Sequence, residues 1–174
     1  MFVLGVDPGL SRCGYGAVRR IGGKSVAVAG GVITTDRELP LPDRLRILYQ
    51  ELTSLVGELQ PDAVVVERVF FQTNVKTAMA VGQAEGLALL VAAQAGCEVV
   101  QYTSNEVKQA VVGYGSATKD QVQRMVAAVL GLPDPPRPPD VADALALAIC
   151  HLTAQPLRDA LAAASAGTGR GGGL

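Results

Sequence analysis

Phe2-Val3-Leu4-Gly5-Val6-Asp7-Pro8-Gly9 is a short apolar run that closes on a carboxylate and is halted by proline. It reads as a first β-strand whose last residue carries a charge. A second run, Ala63-Val64-Val65-Val66, closes on Glu67 in the same way. A third apolar segment, residues 141–152, is opened by Asp140 and Asp143. A charge at the end of a buried strand, or on the inner face of a helix, is costly unless something compensates it. For clustered carboxylates the commonest compensation is a hard divalent cation such as Mg²⁺ or Mn²⁺. The pattern reads as an acidic metal site built from three distant segments.

Outward from these runs, residues 14–20 and 25–35 read as two further strands joined by a hairpin turn at Gly22-Gly23. Such short connections make the first three strands antiparallel. Leu45, Leu48, Leu52, Leu55, Val56 and Leu59 recur at helical spacing, and Pro61 ends that helix before the strand 63–67. A second helix is expected over 75–95 with Gly96 as its stop, then a strand over 98–102. Ser104 and Asn105 can cap a helix over 106–112, residues 113–116 form a glycine-rich break, and Thr118 caps a helix over 119–130. Five of the seven residues 133–139 are proline, a rigid linker that leads to a last helix near Asp140. The expected fold is α/β: a mixed five-stranded sheet, three antiparallel strands followed by parallel additions, flanked by helices. The expected organisation is one domain over 1–156 and a disordered Gly/Ala-rich tail over 157–174.

A chain of 174 residues, 49% hydrophobic and 18% charged, is expected to be one globular domain. No uninterrupted apolar stretch reaches the roughly 18–20 residues that span a bilayer, and the N-terminus lacks a basic leader, so no membrane partner and a cytoplasmic location are expected. Cys13, Cys97 and Cys150 are odd in number and far apart, which fits reduced thiols better than a zinc site or a disulfide framework. His151 is the only histidine, which argues against histidine-bound zinc and a Ser-His-Asp triad. The formal charge of −1 is uninformative, because neutralising four site acids lowers the acidic count from 16 to 12 against 15 basic residues.

Each acid has a plainer reading. Asp7 could merely start the Asp-Pro-Gly turn, and Asp140 could be an N-cap. Glu67 is poor turn chemistry and a poor strand former, so it fits neither role. Asp140 and Asp143 lie three residues apart, on the same face of a helix, where like charges repel. Two divalent ions about 3.5–4 Å apart are the usual arrangement for phosphodiester hydrolysis, one activating water and the other stabilising the leaving 3′ oxygen.

The motifs resemble the RuvC family of bacterial Holliday junction resolvases, within the ribonuclease H-like superfamily. The matching segments are Gly5-Val6-Asp7-Pro8-Gly9-Leu10-Ser11-Arg12-Cys13-Gly14-Tyr15-Gly16 and Val66-Glu67-Arg68-Val69-Phe70-Phe71. Gly82-Gln83-Ala84-Glu85-Gly86, Tyr102-Thr103-Ser104-Asn105-Glu106-Val107-Lys108, Val112-Gly113-Tyr114-Gly115-Ser116-Ala117-Thr118-Lys119 and Pro139-Asp140-Val141-Ala142-Asp143-Ala144-Leu145-Ala146 follow in order. The resemblance implies a ribonuclease H-like fold and catalytic, metal-binding acids at Asp7, Glu67, Asp140 and Asp143. It implies two Mg²⁺ ions, with Mn²⁺ as a substitute, and a homodimer making paired symmetric nicks in four-way junction DNA near a TT step. A branch-migration complex of RuvA and RuvB type is the implied partner.

Lys108 and Lys119 flank the glycine-broken segment 113–116 and can follow a phosphate backbone. Arg12, Lys76 and Arg124 are further candidates for phosphate contacts. Phe70 could stack on an unpaired base, a contact worth about 1–3 kcal/mol, or could simply pack in the core with Phe71. The Ala- and Gly-rich helix 75–95 suits either a dimer interface or close packing on the sheet. Three rivals remain at this stage. An actin-like ATPase or sugar kinase would need a second domain to clamp ATP. An inert DNA-binding scaffold would not keep all four acids. Another nuclease of the superfamily, acting on hybrids or flaps, has the same chemistry.

Overall fold

The computed structural model describes residues 1–68 and 75–168. Among the described residues, strands β1 (Phe2–Asp7), β2 (Arg12–Ile21), β3 (Lys24–Thr34), β4 (Ala63–Glu67) and β5 (Glu98–Tyr102) form one sheet in the order β3-β2-β1-β4-β5. β1 and β2, and β2 and β3, pair antiparallel. β4 joins β1 in parallel and β5 joins β4 in parallel. This is the mixed sheet expected from the sequence. The helices are α1 (Leu41–Leu59), α2 (Val75–Gln94), α3 (Ser104–Val112), α4 (Lys119–Leu130) and α5 (Pro139–Thr168).

Side-chain alternation divides the core between the two faces of the sheet. Phe2, Leu4 and Val6 of β1, with Val64 and Val66 of β4, pack among Leu48, Leu52, Val56, Ala84 and Ala88 of α1 and α2. Val3 of β1, with Ala63 and Val65 of β4, packs among Val107, Val122, Leu145 and Ile149 of α3, α4 and α5. Asp7 and Glu67 continue the odd-numbered series on both strands. Period two therefore turns both carboxylates towards α5, although the local sequence alone does not say which helix they face.

Glycines let α5 lie directly on this face. A Cβ on Gly5 would run into the Ala144 carbonyl, and one on Gly16 would stand 2.7 Å from Leu145 Cγ. Gly14 and Gly16 alternate with Cys13 and Ala17, which point into the opposite core. At these glycines no strand side chain separates α5 from β1 and β2, and its first two turns are fixed relative to Asp7.

The structure departs from the sequence expectation in several places. Helix α3 starts at Ser104, with Thr103 as its N-cap; the Thr103 hydroxyl accepts from the Glu106 amide at 3.2 Å, and Glu106 Oε2 accepts from the Thr103 amide at 2.7 Å. That reciprocal capping box moves the start earlier than Ser104 or Asn105 as caps would. Strand β3 is irregular opposite Ala17 and Val18, leaving Val28 without a register partner. Helix α5 does not stop at Pro156 but runs through it to Thr168. A proline removes one intrahelical donor, and the Ala-rich sequence after it has the highest helix propensity available, so the helix continues.

The end of α5 is tied to the sheet. His151 is fully buried. Its Nδ1 lies 3.2 Å from Tyr102 Oη and 3.1 Å from Arg158 Nη1, and Arg158 Nη2 donates to Glu98 Oε1 at 2.7 Å. Arginine is only a donor, so Nδ1 is an acceptor here.

Helix α2 buries Ala84, Ala88, Val91 and Ala92, while Val75, Met79 and Leu90 are exposed. By length and composition it is apolar enough to cross a bilayer, with a mean hydropathy of 1.2. Lys76, Gln83 and Glu85 break its apolar run, so the sequence shows no uninterrupted stretch of that length.

Candidate active site

Asp7 and Glu67 stand at the C-terminal ends of adjacent parallel strands, the usual place for a site in a sheet of this kind. Asp143 comes from the second turn of α5. The three line one pocket of about 130 Å³ with Lys108 of α3, Lys119 of α4 and the apolar side chains of Val107, Val122 and Leu147. Residues from five elements meet there. Ser104, which the sequence reading treats only as a helix cap, also lines it.

Burial and mutual repulsion set the electrostatics. The Asp7 carboxyl is pushed up to about 8, first by burial, then by the charges of Glu67 and Asp143 and by its hydrogen bond with Glu67. Glu67 is raised too, chiefly by burial, while the hydrogen bond from Asp7 works the other way. Burial and mutual repulsion thus favour keeping a proton on this pair of carboxyls. Asp143 Oδ2 accepts from Lys119 Nζ at 3.2 Å, and this charge raises Lys119 above the ordinary lysine range.

Asp140 behaves differently. It does not line the pocket. Both of its oxygens are taken by Arg12, with Nη2 to Oδ2 at 2.8 Å and Nε to Oδ1 at 3.3 Å. The hydrogen bonds from Arg12 hold its carboxyl below the usual carboxylate range. Among the described residues, no three His, Cys, Asp or Glu side chains are grouped so as to hold an ion. The expected single cluster of four is thus three acids around a pocket and a fourth beside them on an arginine. Lys119 offsets the charge of Asp143 and Arg12 that of Asp140, while burial raises both Asp7 and Glu67. The donor set nonetheless consists of carboxylate oxygens in a partly buried pocket, which is the chemistry hard divalent cations select.

The segment after Asp7 is held in place. Thr35 Oγ1 donates to the Leu10 carbonyl at 2.5 Å, and Arg44 donates to Thr35 Oγ1 at 3.0 Å and to Ser11 Oγ at 2.7 Å. Gly9 is required there for a local reason, since a Cβ would meet the Arg12 carbonyl.

The candidate DNA contacts separate. Lys108 and Lys119 face the acids. Arg12 is half-exposed at the rim beside Asp140. Arg124 pairs with Asp120 one turn away and lines a different groove with Tyr114 and Met125. Lys76 is in the first turn of α2 and does not line the pocket. Phe70, with Phe71, lies outside the described residues. What sequence reasoning missed is the glycine seat under α5 and the partner of Arg12; the spacing of Gly5, Gly14 and Gly16 was the available signal for the first.

A mixed sheet with acids at the ends of β1 and β4 and on a helix crossing them defines a ribonuclease H-like domain. The family model for crossover junction endodeoxyribonuclease RuvC matches residues 3–151, and the chain belongs to that family. It is 52% identical to RuvC of Salinispora arenicola over 174 residues, covering 99% of each chain. It is 49% identical to RuvC of Ruminiclostridium cellulolyticum over 151 residues, 87% of this chain and 91% of that one. Thermus thermophilus RuvC, in a structure with a Holliday junction substrate, superposes with a TM-score of 0.85 at 37% identity, covering 90% of this chain and 96% of that one.

Proposed function

We propose that the chain is a structure-selective endonuclease that resolves four-way DNA junctions in recombination and repair by paired symmetric nicks. The observation that carries this reading is the meeting of Asp7, Glu67 and Asp143 with Lys108 and Lys119 in one pocket of a RuvC-family fold. The reaction is hydrolysis of a phosphodiester, leaving a 5′ phosphate and a 3′ hydroxyl. Asp7, Glu67, Asp143 and, with them, Asp140 are the acids that hold Mg²⁺, two ions in this reading, with Mn²⁺ as substitute. Bound there, the ions would supply Lewis-acid stabilisation of charge at the scissile phosphate and would ease deprotonation of the attacking water.

The chain's own groups do the rest. Lys108 and Lys119 bring the phosphate against the acids and offset its charge. The apolar wall of Val107, Val122 and Leu147 limits water on one side and strengthens each charge interaction. Arg12, Arg124 and Lys76 extend the phosphate path, and Phe70 remains the candidate for stacking on an unpaired base at the junction. A second copy of the chain covers the exposed apolar face of α2, where Cβ atoms on Gly82 and Gly86 would meet nothing of the same chain. A dimer places two pockets on one junction, as symmetric nicking demands. A branch-migration complex of RuvA and RuvB type is the proposed partner, in the cytoplasm.

The test is nicking of a synthetic mobile junction with Mg²⁺ by the wild-type chain and by Asp7→Asn. Paired symmetric nicks lost in the variant, with junction binding retained, support the reading. Equal cutting by the variant, or undiminished cutting in excess chelator, overturns it. A preference for linear duplex, flap or RNA–DNA hybrid would move the protein to another branch of the superfamily.

A further inference from the structure

The acids are not equivalent in what a cation must displace. Asp143 is engaged through Oδ2 alone, by a lysine whose side chain is 78% exposed. Asp140 has both oxygens engaged by one guanidinium, in the two-pronged geometry that arginine forms with carboxylates. The two partners are 128 residues apart in sequence. Both are nevertheless well fixed, Arg12 as the first residue of β2 and Asp140 in the first turn of α5 against Gly14.

We propose that Arg12 competes with the cation for Asp140 and so sets the order in which the site loads. The first ion is taken by Asp7, Glu67 and Asp143, and the position that uses Asp140 fills only when Arg12 lets go. Released, the guanidinium remains on the rim, where a DNA phosphate offers the same two-pronged acceptor. Substrate arrival and loading of the second position therefore favour each other: phosphate draws Arg12 off Asp140, and the cation replaces it there. Arg12 is in this scheme a positioning residue. The inference rests on the reading of the four acids as cation ligands.

The experiment measures Mn²⁺ binding without DNA, by titration calorimetry and by the electron paramagnetic resonance of free Mn²⁺. The proteins compared are wild type, Arg12→Gln, Asp140→Asn and the double variant. Arg12→Gln should tighten the weaker of two binding steps about tenfold and leave the stronger step within about twofold. Arg12→Lys, which cannot grip both oxygens, should fall between. A general loss of positive charge would tighten both steps, and would do so equally in the Asp140→Asn background; either result overturns the proposal. So does an unchanged weaker step in Arg12→Gln. Loss of all binding in wild type would instead overturn the cation-ligand reading itself, and the inference with it. Arg12 is exposed, and circular dichroism checks that each variant is folded.

Discussion

Gly14 carries Asp140: a Cβ on this glycine would stand 2.8 Å from the Asp140 carbonyl carbon and 3.0 Å from the Asp140 Cβ. Gly14 is also the register partner of Asp7 across β1 and β2. One residue without a side chain thus sets the spacing between the acid of the first strand and the first acid of the last helix. Gly14→Ala must push α5 off the sheet. Overpacking of this kind costs about 1–3 kcal/mol. The expected outcome is a lower Tm, and a loss of nicking at temperatures where the variant is still folded.

Asp7 makes stability depend on pH in a defined direction. Its carboxyl sits at about 8 in the folded chain against an ordinary value of 3.8. Between these values the folded chain keeps a proton that the unfolded chain has lost. Stability in chelator therefore falls as pH rises from about 4 to about 8, then levels. Asp7→Asn should flatten this slope and raise Tm at pH 8. Thermal scans across pH, with and without Mn²⁺, check both expectations, and the Mn²⁺ stabilisation of wild type should grow with pH.

Lys119 joins Asp143 at the mouth of the pocket through a mostly exposed side chain. Exposed ion pairs contribute about 0–1 kcal/mol, so Lys119→Met should barely move Tm. Its effect belongs to DNA. Junction binding should weaken, the slope of log affinity against log salt should fall by about one, and nicking should drop by a larger factor than binding.

The exposed face of α2 is where self-association should fail. Met79 is 61% exposed and neighbours the open Gly82 and Gly86 positions. Met79→Glu should shift sedimentation equilibrium towards monomer without lowering Tm in dilute solution. A dimer that survives this change must use another surface.

Much of this structure could be read from the chain. The strands announce themselves through valine runs bounded by turn residues, and the hairpin through Gly22 and Gly23, both at positive φ. Asp7 and Glu67 stood out because a charge after a buried run needs a reason. The arrangement of the acids was less legible. Arg12 finds Asp140 across most of the chain, and no local pattern encodes a pairing of that length. The irregularity at Val28 was hidden because Val26-Ala27-Val28-Ala29 alternates as any regular strand does. The continuation of α5 past Pro156 was also hard to read: the Gly- and Ala-rich composition of 157–174 suggests a disordered tail, whereas Arg158 is held by His151 and Glu98.

The order of the elements has a consequence during synthesis. β1 and β4 lie side by side although about sixty residues separate them, and α5, which completes the site, is the last element to be made. Until the stretch through residue 143 has left the ribosome, a nascent chain can bring Asp7 and Glu67 together on β1 and β4 but lacks Asp143 and the α5 wall of the pocket. Such a chain can begin its sheet but has no means of cutting DNA.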